Sequence, residues 1–128
     1  MDISKIKFNP LDPQIFGDIA KNCADEISKS SGKNESSQIR KFYDELVMWH
    51  DKIQHADDLQ QAYKENEPFI QMMKAKVAYA KGRKLLDDNF EQMFNQIMKE
   101  IKDPQSLNYA KLFFEAVLGF RKALEKGK

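Results

Sequence analysis

Apolar residues recur at intervals of three and four along nearly the whole chain, the spacing of helices that each bury one face. Asp12 offers an N-cap and Pro13 a first helical position, after which Ile15, Phe16, Ile19, Ala20, Cys23, Ala24 and Ile27 share one side. The polar stretch "SSGKNESS" then breaks the pattern and reads as a mobile loop. Ser36 or Ser37 caps a second helix, whose stripe is Ile39, Phe42, Tyr43, Leu46, Trp49, His50 and Ile53. A weaker helix covers "ADDLQQAYKENE", and Pro68 opens another, "PFIQMMKAKVAYAKGRK", with Gly82 near its end. Asp87 or Asp88 caps a fifth, carrying Phe90, Met93, Phe94, Ile97, Met98 and Ile101 in register. Asp103-Pro104 starts the last, with Ala110, Phe113, Phe114, Val117, Leu118 and Leu124 facing inward. No stretch alternates with period two, so strands are not expected.

The pattern predicts an all-α protein: a compact bundle of five or six helices, one domain over residues 1–128, without internal repeats. Phe16, Ile39, Phe42, Tyr43, Leu46, Phe90, Phe94, Phe113 and Val117 are expected in its core. The last helix has more apolar residues than one neighbour can cover, since Leu112, Phe114 and Phe120 point different ways. Either that helix is central, or its spare face meets a partner.

Composition narrows the class. The chain of 128 residues is 41% hydrophobic and 32% charged, a globular rather than a disordered balance. The single cysteine, Cys23, excludes an internal disulfide and a cysteine zinc cluster; on an apolar stripe it reads as a small core residue. No apolar run is long enough to span a membrane and no signal-peptide core is present, which places the expected location in the cytoplasm.

Catalytic chemistry is not apparent. His50 and His55 are five apart and so lie on different helix faces, whereas a metal pair on a helix wants a spacing of three or four. His50 reads as a core histidine, and Asp51 with His55 as a surface pair. There is no phosphate-binding glycine loop, nucleophile elbow or H-E-x-x-H motif. The sequence therefore calls for no catalytic residue, no metal and no cofactor.

Charge is more informative. The formal net charge is +1, so any nucleic-acid surface must come from local segregation. From Pro68 to Leu86 the charged residues are Lys74, Lys76, Lys81, Arg83 and Lys84, with no acid, and Tyr79 lies among them. Lys74 and Lys81 share one flank, Lys76 and Arg83 another. Favourable placement at a helix C-terminus accounts for Lys81, Arg83 and Lys84 but not for Lys74 or Lys76. Cations facing no acid suit a phosphate backbone.

A second anomaly lies in "SSQIRKFYDEL". Arg40 and Lys41 occupy the start of a helix, where the macrodipole disfavours cations. Two readings are open. They reinforce a phosphate site at the helix N-terminus, or they form weak i,i+4 pairs with Asp44 and Glu45.

These two segments also carry a resemblance. Ser37, Gln38, Ile39, Arg40, Lys41, Phe42, Tyr43, Asp44 and Glu45, followed by Lys74, Lys76, Ala78, Tyr79, Ala80 and Arg83, resemble the motifs of the small-subunit family of type III-A CRISPR–Cas effector (Csm) complexes. Val77 stands where leucine is commoner, and "FFEAVLGFRKAL" also matches, so the resemblance spans most of the chain. It implies an all-helical, non-catalytic subunit, several copies of which line the channel that holds the duplex of guide crRNA and target RNA. Its partners would be that RNA, the backbone and large subunits, and other copies of itself, with no membrane. Target-RNA cleavage would belong to the backbone subunit, and DNA cleavage and cyclic oligoadenylate synthesis to the large one. On this reading the RNA-contacting candidates are Arg40, Lys41, Lys74, Lys76, Lys81, Arg83 and Lys84. The alternative class is a stand-alone helical adaptor that joins proteins and whose cations are merely solvated.

Overall fold

Asp87, Asp103 and Asp58 each place a carboxylate where the first free N–H groups of a helix need an acceptor. Asp87 accepts from Phe90 N at 3.0 Å, Asp103 from Ser106 N at 2.7 Å, and Asp58 from Gln61 N at 3.1 Å. A computed structural model describes residues 1–126, and among these every long element is helical. A π-helical stretch, Ile15–Ile19, runs into α1 (Ala20–Ile27); α2 (Ser36–Gln54), α3 (Leu59–Gln71), α4 (Met73–Gly82), α5 (Asp88–Glu100) and α6 (Pro104–Lys126) follow. Among the described residues, no helix is long and apolar enough to cross a membrane.

The core is one continuous cluster. Phe90, Phe94, Phe113 and Phe114 are fully buried, with Phe42 against Phe90 and Phe94 and the edge of Phe114 on both. Of the expected core residues, Phe16 and Tyr43 are only partly buried; the rest are enclosed. Tyr43 keeps its hydroxyl at the surface, donating to Glu115 at 2.7 Å. Ile6 and Phe8 join the core from outside any helix. Their extended segment is held by Gln96 Nε2, which donates to Ile6 O at 2.8 Å, and by Glu100, which accepts from Phe8 N at 3.0 Å.

Helix α6 is the central element, packed against α1, α2, α3 and α5. Its width of apolar face is thereby explained, and the spare apolar surface lies elsewhere: Met48, Phe69, Met72 and Tyr79 are exposed on α2, α3 and α4 and at the α3–α4 junction. Leu124, expected inside, is exposed near the end of α6.

Three expected boundaries move. Glu35, not Ser36 or Ser37, occupies the N-cap of α2 and supplies no side-chain cap. Ser36 Oγ instead donates to Glu125 at 2.6 Å. Pro68 lies inside α3 rather than opening a helix. Asp58 has already started that helix, so the missing proline N–H falls in its final turns. The break comes at Met72, which lets Tyr63 and Ile70 of α3 and Met73, Val77 and Ala80 of α4 all point inward. Finally, Gln14 rather than Asp12 caps the first helical stretch, and Asp12 accepts from Gln14 N at 2.7 Å.

Candidate nucleic-acid interface

The loop before α2 is tied down by Asn34, the one buried polar residue among those described, in the left-handed region at φ 56°. Asparagine tolerates that backbone better than most residues. Its N–H donates to Leu85 O at 2.9 Å, its Nδ2 to Ile27 O at 3.0 Å, and its Oδ1 accepts from Asp87 N at 3.0 Å. Ser30 Oγ also donates to Asp87 Oδ2. The start of α2 is therefore fixed beside the end of α4.

Further along, Lys76 of α4 binds Glu45 of α2, its ammonium 2.9 and 3.1 Å from the two carboxylate oxygens. The two helices thus run in opposite directions, bridged by these side chains rather than closely packed backbone to backbone. Lys41 stands one turn before Glu45, and Tyr79 and Arg83 lie about 5 and 10 Å beyond Lys76 along α4, by helical rise. Lys41, Lys76, Tyr79 and Arg83 consequently border one seam. Tyr79 is 70% exposed, and the Arg83 guanidinium lies 5.8 Å from its ring centroid.

The remaining candidates divide. Lys74 and Lys81 occupy the other flank of α4, and Lys81 is engaged by Asp88 at 2.5 Å and Glu91 at 3.1 Å. Hydrogen bonds to those carboxylates raise its pKa. Lys84 is exposed on the turn after α4 at φ 66°. Arg40 faces away from the seam, 5.8 Å from the centre of the Tyr43 ring and at the 4.0 Å limit of a pair with Asp44. The alternative pair, Lys41 with Glu45, is not formed, because Glu45 is taken by Lys76 and by Trp49 Nε1 at 3.1 Å. Among the described residues, Lys41, Lys74, Arg83 and Lys84 have no carboxylate partner.

Sequence reasoning passed over Trp49, Phe69 and Lys52 as surface features. Trp49 and Phe69 stack with centroids 6.3 Å apart, and Lys52 Nζ lies 5.4 Å from the Trp49 centroid. The signal was the i,i+3 spacing of Trp49 and Lys52; the Phe69 contact depends on the tertiary placement of α3. The histidines offer no metal site. His50 Nδ1 is 3.2 Å from Asp51 Oδ1, and His55 Nδ1 meets the Asp51 carbonyl, not its carboxylate, at 2.7 Å. No group of three or more His, Cys, Asp or Glu suited to a metal occurs among the described residues.

Searches of curated proteins and of solved structures gave no match. The family model described as Csm2 Type III-A matches residues 11–127. That span takes in both motif segments, the seam between them and the central helix α6, so the chain belongs to the Csm2 family, the small subunits of type III-A CRISPR effector complexes.

Proposed function

We propose that this small subunit is non-catalytic and holds target RNA, paired to its guide, by phosphate contacts along a wall of the effector channel. The observation that carries this reading is the seam of α2 and α4. There Lys41 and Arg83 lack carboxylate partners among the described residues, while the Lys76–Glu45 bridge links the helices that present them. Phosphate contacts position a strand without reading its bases, so sequence selection is left to the guide. Lys74 and Lys84 extend the cationic surface; Lys81, held by two acids, contributes least.

The exposed side chains of Met48, Phe69 and Met72 form the apolar surface through which the subunit meets its neighbours, whether further copies, the backbone subunit or the large subunit. The same residues would serve a stand-alone adaptor, and RNA binding separates the two readings. The test is a salt titration of target-RNA affinity with wild type and with Lys41→Ala/Arg83→Ala. For every phosphate the variant no longer neutralises, the slope of log K against log salt becomes shallower by about 0.7–0.9. Equal slopes would return the cations to solvent and leave the adaptor standing.

A further inference from the structure

Residues 1–11 reach the core without forming a helix or a strand. Ile6 and Phe8 are buried, and the Phe8 ring lies 6.4 Å from Tyr109 and 6.2 Å from Phe113, centre to centre. The segment therefore sits in a groove between α5 and α6. Among the described residues its backbone has no hydrogen bond to the backbone of any helix. Its polar ties to the body go to α5 side chains: Gln96 Nε2 donates to Ile6 O, and Phe8 N donates to Glu100. Clefts of about 250 Å³ and 300 Å³ open between the segment and α1, and between it and the start of α6. What holds it is mainly the burial of two apolar side chains, and burial is indifferent to which copy supplies them.

The joint to the body is the second observation. Phe8 and Leu11 form one isolated antiparallel bridge, so the chain doubles back at Asn9-Pro10. Asn9 and Asp12 each precede a proline, whose ring pushes the residue before it toward extended backbone. The joint is thus biased toward an open form in which residues 8–15 run out straight. Fully extended, it carries Phe8 up to about 25 Å from Ile15. That is far enough to leave its own groove and enter the groove of an abutting copy. The segment also lies before residue 11, where the family span begins.

We propose that this groove takes the same segment from a second copy of the chain, so that two copies exchange residues 1–8. Exchange remakes the contacts of Ile6 and Phe8 with α5 and α6, and the contact given up is the Phe8–Leu11 bridge at the joint. Within one chain the short joint gives an effective concentration on the order of millimolar, so dilute protein keeps its own segment. Copies packed side by side reach a local concentration of that order, and exchange then ties them together. Reciprocal exchange closes a pair; passed onward, the same contact joins a row. The proposal is independent of RNA binding and uses neither the α2–α4 seam nor the exposed side chains of Met48, Phe69 and Met72.

Isotope-filtered NMR on the full-length chain tests it. Carbon-13-labelled and unlabelled chains are incubated together at about 1 mM, the concentration that competes with closure. Exchange needs release of the segment alone, so no unfolding step is required. Light scattering then finds a dimer fraction that disappears on dilution. The same mixture gives nuclear Overhauser contacts between the Phe8 ring of one chain and the Tyr109 and Phe113 rings of the other. Two results overturn the proposal. One is a chain that stays monomeric at about 1 mM. The other is a dimer in which every Phe8 contact lies within one chain, which would mean that the copies are held by another face.

Discussion

Lys76 reaches from the second turn of α4 to Glu45 of α2, 2.9 Å from one oxygen and 3.1 Å from the other. The contact spans 31 positions of sequence and removes the partner that Lys41 would otherwise have found one turn away. One cation thereby joins the helices, and the other is left without a counter-charge. Lys76 is half exposed, so the bridge stabilises less than its geometry suggests. A double-mutant cycle with Lys76→Met and Glu45→Gln, read by urea unfolding, should give a coupling of about 0.2–1 kcal/mol. Zero coupling would mean that the helices are aligned by packing alone.

Asp87 should contribute to the acid limb of stability. Burial pushes its carboxyl up, but hydrogen bonds from Ser30, Asn34 and the backbone N–H of Phe90 outweigh this, and the net pKa lies below the ordinary 3.8. A depressed carboxylate stabilises the fold above its unfolded pKa and loses that contribution as pH falls through the folded one. The wild type should therefore lose stability below about pH 4. Asp87→Asn should start less stable at neutral pH and show a flatter acid limb. Parallel curves for the two proteins from neutral pH down through the acid range, by chemical denaturation, would exclude this role.

Cys23 is 3% exposed, and burial first, with Glu26 adding, pushes its thiol up to about 12. The thiolate is the reactive form. In mildly alkaline buffer a disulfide reagent should modify the folded chain no faster than the chain opens, and denaturant should release full reactivity. Rapid labelling of folded protein would show that Cys23 is not a core residue.

Two phenylalanines should separate folding from association. Phe114 is enclosed by Phe90, Phe94 and the partly buried Tyr43 ring, and Phe114→Ala should cost about 3–5 kcal/mol. Phe69 is 55% exposed, and Phe69→Ala should leave stability within about 0.5 kcal/mol. The same substitution should reduce incorporation into a reconstituted effector complex. Full incorporation would remove Phe69 from the proposed subunit contact.

The helices were legible because their phase is strong and several caps are local. Asp87 and Asp103 announce α5 and α6 from residues within one turn. Pro68 misled because proline usually marks a helix start; the helix read over 56–67 instead runs through it to Gln71, and the break at Met72 carries neither proline nor glycine. Ser36 misled for a different reason: its hydroxyl is drawn to Glu125, 89 positions away, and no local pattern carries that competitor. The cationic residues were legible as a set. Their division was not, because Glu45, Asp88 and Glu91 choose among the lysines through tertiary contacts.

Asn34 bears on the order in which the chain assembles. Its side chain and backbone join the end of α1 to Leu85 and Asp87, far later in the sequence. A segment that looks like a spacer is therefore a long-range contact, joining the end of α1 to the turn between α4 and α5. Hydrogen exchange at the Asn34 amide should then follow the opening of the whole α4–α5 junction rather than loop fraying. On the proposed function, the RNA-contacting surface would be complete only once the turn at Leu85–Asp87 has met Asn34, after that part of the chain has left the ribosome.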